Sequence, residues 1–127
     1  MVDTPKKSLI KEVTLQLTHL FNDLQLQDIT ALDISAQCSW CDVIIVATYT
    51  SENQAKTVLQ EAKSILYQSD FSTQPHSKMP QSKWFVLDAY DIVIHLLSSD
   101  ERSFYKIEDM WHQGICLYPQ DDHVEEN

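Results

Sequence analysis

From Leu9 onward, apolar residues fall at Leu9, Ile10, Val13, Leu17, Leu20, Phe21 and Leu24. Steps of one, three and four place them on one face of a helix. Ile29 to Ile34 is short and partly β-branched and predicts a strand. Asp42 then precedes Val43 to Tyr49, whose unbroken apolar character predicts a central strand covered on both faces. Ser51-Glu52-Asn53-Gln54 reads as a capping box, in which Ser51 accepts from a first-turn amide while Gln54 reaches back. The helix it opens carries Ala55, Val58, Leu59, Ala62, Ile65 and Leu66 on one side. Residues 69–82 are a polar connection with room for a short edge strand. Trp84 to Leu87 and Ile92 to Leu97 follow, joined by Asp88-Ala89-Tyr90-Asp91, a tight hairpin. Ser98-Ser99-Asp100-Glu101 opens a last helical region to about Gln113, with Gly114 at its C-cap. The order helix, strand, strand, helix, hairpin, helix predicts the α/β (α+β) class: a single domain with one mixed sheet and flanking helices. The domain is expected over residues 1–118. Residues 119–127, with Asp121, Asp122, Glu125 and Glu126, read as an acidic, disordered tail.

Composition narrows the chemistry. Glycine occurs once, at Gly114, in 127 residues, where average usage gives roughly nine. Walker loops and dinucleotide fingerprints need several glycines so that backbone can approach phosphates, and both are excluded. Nine Lys+Arg against nineteen Asp+Glu give a net charge of −10. A body this acidic repels phosphate backbones, so direct DNA binding is not expected and basic proteins are the favoured partners. The longest apolar run, Val43 to Ala47, is far short of a membrane span. Met1 to Ile10 has neither a signal core nor an Arg-rich targeting pattern. The expected location is the cytoplasm, with no membrane partner. The 3 cysteines, an odd number, argue against a secreted disulfide framework.

Cys38-Ser39-Trp40-Cys41 is a C-x-x-C, and a small thiol-redox or zinc-binding module is the alternative reading that it raises. Thioredoxin-like sites place the motif at a helix N-terminus, which lowers the thiol pKa; here it leads into a strand. Zinc would need two further ligands, and His112 with Cys116 has a usable spacing. Against this stands the plain reading of buried cysteines. Asp88 and Asp91, with His95 along the next strand, could hold a divalent ion or share acid and base roles. Aspartates also favour turns for their own backbone bonding, and His95 sits among apolar neighbours. Neither a metal nor a cofactor is expected, and no catalytic residue is assigned. Aromatic residues are numerous, and those at turns, Tyr49 and Tyr90, are the hardest to bury. A protein-binding module thus outranks an enzyme.

Four segments, in order and register, resemble the ribosomal silencing factor (RsfS, Iojap-like) family. They are Asp28 to Asp33; Asp42 to Thr48 with Ser51 to Gln54; Trp84 to Asp88 with Asp91 to His95; and Arg102 to Trp111. The resemblance implies a mixed sheet like that of nucleotidyltransferases, without enzymatic activity. It implies binding to the large ribosomal subunit through its basic protein fourteen. The bound factor would block association of the two subunits and lower translation when nutrients are scarce. It further suggests a homodimer off the ribosome. The chain departs from the family pattern where Tyr49 and Ala89 stand in place of usual glycines. Leu24 to Gln27 replaces usual lysines, and the 71–82 connection lacks the usual Glu-Gly.

The expected partner-binding residues are Trp84, Asp88, Tyr90, Asp91, His95, Arg102 and Tyr105. They follow one another closely enough to form one continuous surface, with carboxylates toward a basic partner and aromatic rings supplying area. Arg102 can equally pair internally with Glu101 or Glu108.

Overall fold

The computed structural model describes residues 4–74, 77–78, 84–105 and 114–119. Helix α1 (Thr4–Asp23) leads into β1 (Gln27–Asp33) and β2 (Val43–Thr48). Helix α2 (Glu52–Gln68), β3 (Ser77–Lys78), β4 (Trp84–Asp88) and β5 (Ile92–Leu97) follow. A short α3 (Ser99–Tyr105) and β6 (Ile115–Tyr118) close the described chain. The strands form one six-stranded sheet in the order β3-β4-β5-β2-β1-β6. Among the described residues only the β2–β5 pair is parallel, with Val43 opposite Ile92 and Thr48 opposite Leu97; the other pairs are antiparallel. The mixed sheet with flanking helices is the expected architecture.

β2 is buried at every position, as its unbroken apolar run demands of a strand flanked by β5 and β1 and covered on both faces. Alternation splits the remaining strands. Ala31, Ile45, Ala47, Phe85, Leu87, Ile94 and Leu96 join Val13, Leu17 and Phe21 of α1 and Val58, Leu59 and Leu66 of α2 in the main core. The opposite face carries a smaller cluster of Leu32, Ile44, Val46, Val93 and Leu97 with Ile34, Cys38 and Cys41 from the β1–β2 loop.

The glycine shortage shows at the helix ends. After α1, Leu26 N donates to Phe21 O (3.0 Å) and Gln25 N to Asn22 O (3.0 Å), with Gln25 at φ 69°. After α2, Phe71 N donates to Leu66 O (2.8 Å) and Asp70 N to Tyr67 O (3.0 Å), with Asp70 at φ 67°. Both are Schellman endings whose left-handed position is normally glycine. A side chain there costs about 1 kcal/mol.

Ser51 caps α2 as expected, its hydroxyl accepting from Gln54 N at 3.1 Å. Gln54, however, does not return to Ser51. Its Oε1 accepts from Thr50 N at 2.6 Å, while its Nε2 donates to Leu24 O at 2.9 Å. One side chain thus ties the start of α2 to the end of α1. Ser98 likewise accepts from Glu101 N at 3.3 Å ahead of α3. The expected continuation of that helix to Gln113, and its C-cap, lie outside the described residues, as does most of the tail. Strand β6 was not expected from the sequence. Ile115 and Cys116 are exposed there, so its four residues carry no two-faced alternation to mark it.

Candidate partner-binding surface

The β4–β5 hairpin ends in a turn closed by local bonds. Asp88 Oδ1 accepts from Tyr90 N at 2.8 Å, an Asx turn. Asp91 N donates to Ala89 O at 2.8 Å, and Ala89 N to Ile92 O at 2.8 Å. With Tyr90 at φ 66°, the Asp91–Ala89 bond closes a γ-turn of the strained class. The left-handed residue is therefore Tyr90, whereas Ala89, where the family pattern has glycine, is buried. Tyr90 projects half-exposed from the tip. Tyr49, the other residue standing for a glycine, needs no left-handed backbone. It is buried, edge-on to Phe85 at 5.5 Å between centroids. Burial pushes its hydroxyl pKa up to about 12, with Glu52 and Glu101 adding to the shift.

Asp91 faces α1. Its Oδ2 lies 3.3 Å from Lys6 Nζ, and its carbonyl accepts from Asp42 N (2.9 Å) and Val43 N (3.0 Å). The start of β2 is thereby locked to the hairpin tip. Burial raises the Asp42 carboxyl pKa, helped by Asp91 and Asp33, while Lys7 and Lys6 act in the opposite sense. On the α1 side, Lys6, Leu9, Phe71, Ala89, Tyr90 and Asp91 line a hollow of about 480 Å³.

Trp84 and His95 share the face away from α1 and α2. Trp84 Nε1 donates to His95 Nδ1 at 3.0 Å, the rings tilted by 57°. An accepting Nδ1 places the His95 proton on Nε2, so the ring is neutral. Burial lowers its pKa to about 4, against an upward pull from Asp88. His95 is a half-buried partner of Trp84 rather than a titrating group near neutrality.

Arg102 turns inward. From α3 it donates to Thr48 Oγ1 (3.0 Å) at the end of β2 and to Thr30 Oγ1 (3.4 Å) midway along β1. These hydroxyl bonds come in addition to any pairing with Glu101, and Glu108 lies outside the described residues. Tyr105 ends α3. Of the seven, Trp84, Asp88 and His95 share a face, Tyr90 and Asp91 cap its tip toward α1, and Arg102 lies at the far end, while the side chain of Tyr105 lies outside the described residues.

The cysteines behave as core. Cys38 and Cys41 are buried, and burial pushes the Cys41 pKa up to about 12, reinforced by Cys38, Asp42 and Asp88. Thiol exchange and zinc ligation both need the thiolate, which this setting disfavours. Among the described residues no three His, Cys, Asp or Glu side chains gather as a metal site, and His112 lies outside them. No helix among the described residues is long and apolar enough to cross a membrane. Sequence reasoning overlooked the outward Trp40, which is 66% exposed between the two buried cysteines. The signal available was a large aromatic inside a short polar loop.

Residues 7–127 match the family model described as "Ribosomal silencing factor during starvation". The chain is 30% identical over 115 residues to the ribosomal silencing factor RsfS of Zymomonas mobilis, covering 87% of this chain and 86% of that one. It is 26% identical over 90 residues to RsfS of Bacillus subtilis, covering 71% and 76%. A crystal structure of a protein from Chromobacterium violaceum superposes with a TM-score of 0.73 at 27% identity, covering 81% of this chain and 86% of that one. The matched segment embraces both helices of the main core, the hairpin and the Trp84–His95 face, and the solved relative shares the fold. This chain belongs to the ribosomal silencing factor (RsfS) family.

Proposed function

We propose that this protein binds the large ribosomal subunit through its basic protein fourteen, blocks association of the subunits and represses translation under nutrient limitation. It acts in the cytoplasm, as a homodimer when off the ribosome, and catalyses no reaction. The observation that carries this reading is the family match over residues 7–127. The net charge of −10 fits a basic partner. The hairpin adds a physical reason. A half-exposed tyrosine held in a strained turn beside two carboxylates is costly for stability alone, and such strain gathers where a surface is used. The surface comprises Trp84, Asp88, Tyr90, Asp91 and His95, with Arg102 and Tyr105 at its far end.

The test is co-sedimentation with isolated large subunits at micromolar concentration, together with a subunit reassociation assay. The protein should pellet with large subunits and reduce the joined fraction. Failure of both by folded protein overturns the proposal. Tyr90→Ala and Asp91→Lys should each weaken binding by about 1–3 kcal/mol, whereas Glu125→Lys with Glu126→Lys should alter little beyond a salt-sensitive association rate. Calorimetric titration with ATP, GTP and magnesium should show no micromolar isotherm. A saturable one would point to a nucleotide-dependent activity instead.

A further inference from the structure

The C-S-W-C segment falls between the stretches that carry the family resemblance, and the proposed function leaves it without a task. Its geometry is specific. Ile34 N donates to Asp42 O at 2.8 Å, closing the loop at its base. Gln37 N and Cys38 N both donate to Ile34 O at 2.9 Å, turning the chain within it. Cys38 and Cys41 then drop into the apolar cluster with Ile34, Ile44 and Val93, 6% and 3% exposed, with Trp84 and Val86 packed against the same cluster. Between them Ser39 and Trp40 stay outside, Trp40 at 66% exposure. The two cysteines act as apolar clips on either side of a tryptophan that stays largely exposed.

The loop is also fixed to the hairpin. Asp42, two residues after Trp40, donates to the carbonyl of Asp91, next to Tyr90. Asp88 and Asp42 both bear electrostatically on the Cys41 thiol, so the clip sits beside the carboxylates of the tip. Trp40 and Tyr90 thus flank one hydrogen-bonded junction that gathers Asp42, Asp88 and Asp91. Tryptophan and tyrosine supply the most binding energy at protein interfaces, and a carboxylate rim selects a basic counterpart.

We infer that Trp40 is a further anchor of the partner-binding surface, held outward by Cys38 and Cys41, and that it docks on a protein surface offering an apolar notch framed by lysine or arginine. This rests on the proposed binding to the large subunit and extends its surface across the β1–β2 loop. A nucleic-acid contact is disfavoured, because a chain of net charge −10 repels its phosphates.

The experiment measures pelleting of the full-length protein with isolated large subunits. Trp40→Ala is compared with wild type and with Tyr67→Ala, a control aromatic that is 81% exposed on α2. Circular dichroism and thermal melting establish that each is folded. Trp40→Ala should lose about tenfold or more in affinity, equivalent to about 1.4 kcal/mol, and Tyr67→Ala should match wild type. Cys38→Ala with Cys41→Ala should keep most of the affinity, since apolar anchoring needs no thiol. A photo-crosslinker at position 40 should label a ribosomal protein. Wild-type binding with undiminished Trp40→Ala binding overturns this inference alone. Loss of wild-type binding overturns the proposed function and this inference with it. A folded cysteine double variant that fails to bind overturns the clip, and labelling of ribosomal RNA overturns the assigned partner chemistry.

Discussion

The two faces of the sheet are built to different rules. The face under α1 and α2 is closed mainly by aliphatic and aromatic side chains, Ile45, Ala47, Leu87, Ile94 and Leu96 among them, and the buried hydroxyls of Thr14 and Thr18 on α1 donate to carbonyls of their own helix. The opposite face mixes an apolar patch with groups that must find polar partners: Trp84 with His95, and Arg102 with Thr48 and Thr30. Apolar contacts are non-directional and give the first face its stability. Directional bonds give the second face a fixed arrangement of rings and donors, at less gain per residue. The first face keeps the protein folded, and on the proposed function the second is the one presented to the partner.

Substitutions should break that comparison in a graded way. Leu17→Ala or Leu66→Ala, each fully buried under the helices, should cost about 2–5 kcal/mol in urea unfolding. Arg102→Ala should cost about 1–3 kcal/mol, because Thr48 is buried and its hydroxyl loses the guanidinium. A loss as large as that of Leu66→Ala would show that the second face is as essential to the fold as the first.

The Trp84–His95 pair predicts a pH dependence with a definite sign. The native His95 pKa of about 4 lies below the ordinary 6.5, so the unfolded chain takes up the proton first as pH falls. The stability from the neutral, bonded ring is therefore complete above about pH 6.5 and is lost as pH drops toward 4. The wild-type advantage over His95→Gln should shrink by about 1–3 kcal/mol across that window. A His95 resonance titrating near pH 6.5 in the folded protein would refute the assignment.

Smaller effects sharpen the contrast. Gln25→Gly and Asp70→Gly should each raise stability by about 1 kcal/mol, by relieving left-handed backbone at the ends of α1 and α2. Tyr90→Gly should stabilise by a similar amount yet bind large subunits less tightly. Improved stability together with unchanged binding would remove the reason offered for the strained turn. Lys6→Ala should cost about 0.5 kcal/mol or less, since the ammonium bridging Asp91 is largely solvated.

Periodicity in the chain was enough to specify α1, β2, α2 and the hairpin, because each buries a face whose spacing is written in the order of residues. The apolar run of β2 announced a strand covered on both sides, and Ser51 announced the start of α2. Net charge and the four matching segments pointed to the family. Other features had no local signature. β6 exists because β1 offers it an edge, and its exposed Ile115 and Cys116 carry no alternation. Gln54 caps Leu24 across a separation of 30 residues, and Arg102 reaches Thr48 across 54. Asp88 and Asp91, alike in the sequence, diverge in the fold: one bonds its own turn and the other bridges to α1. Local pattern determined which segments fold and which faces they bury. The partners of Arg102, the neutral state of His95 and the outward set of Trp40 were decided by tertiary structure, because hydrogen bonds and desolvation depend on groups that meet only after the sheet has closed.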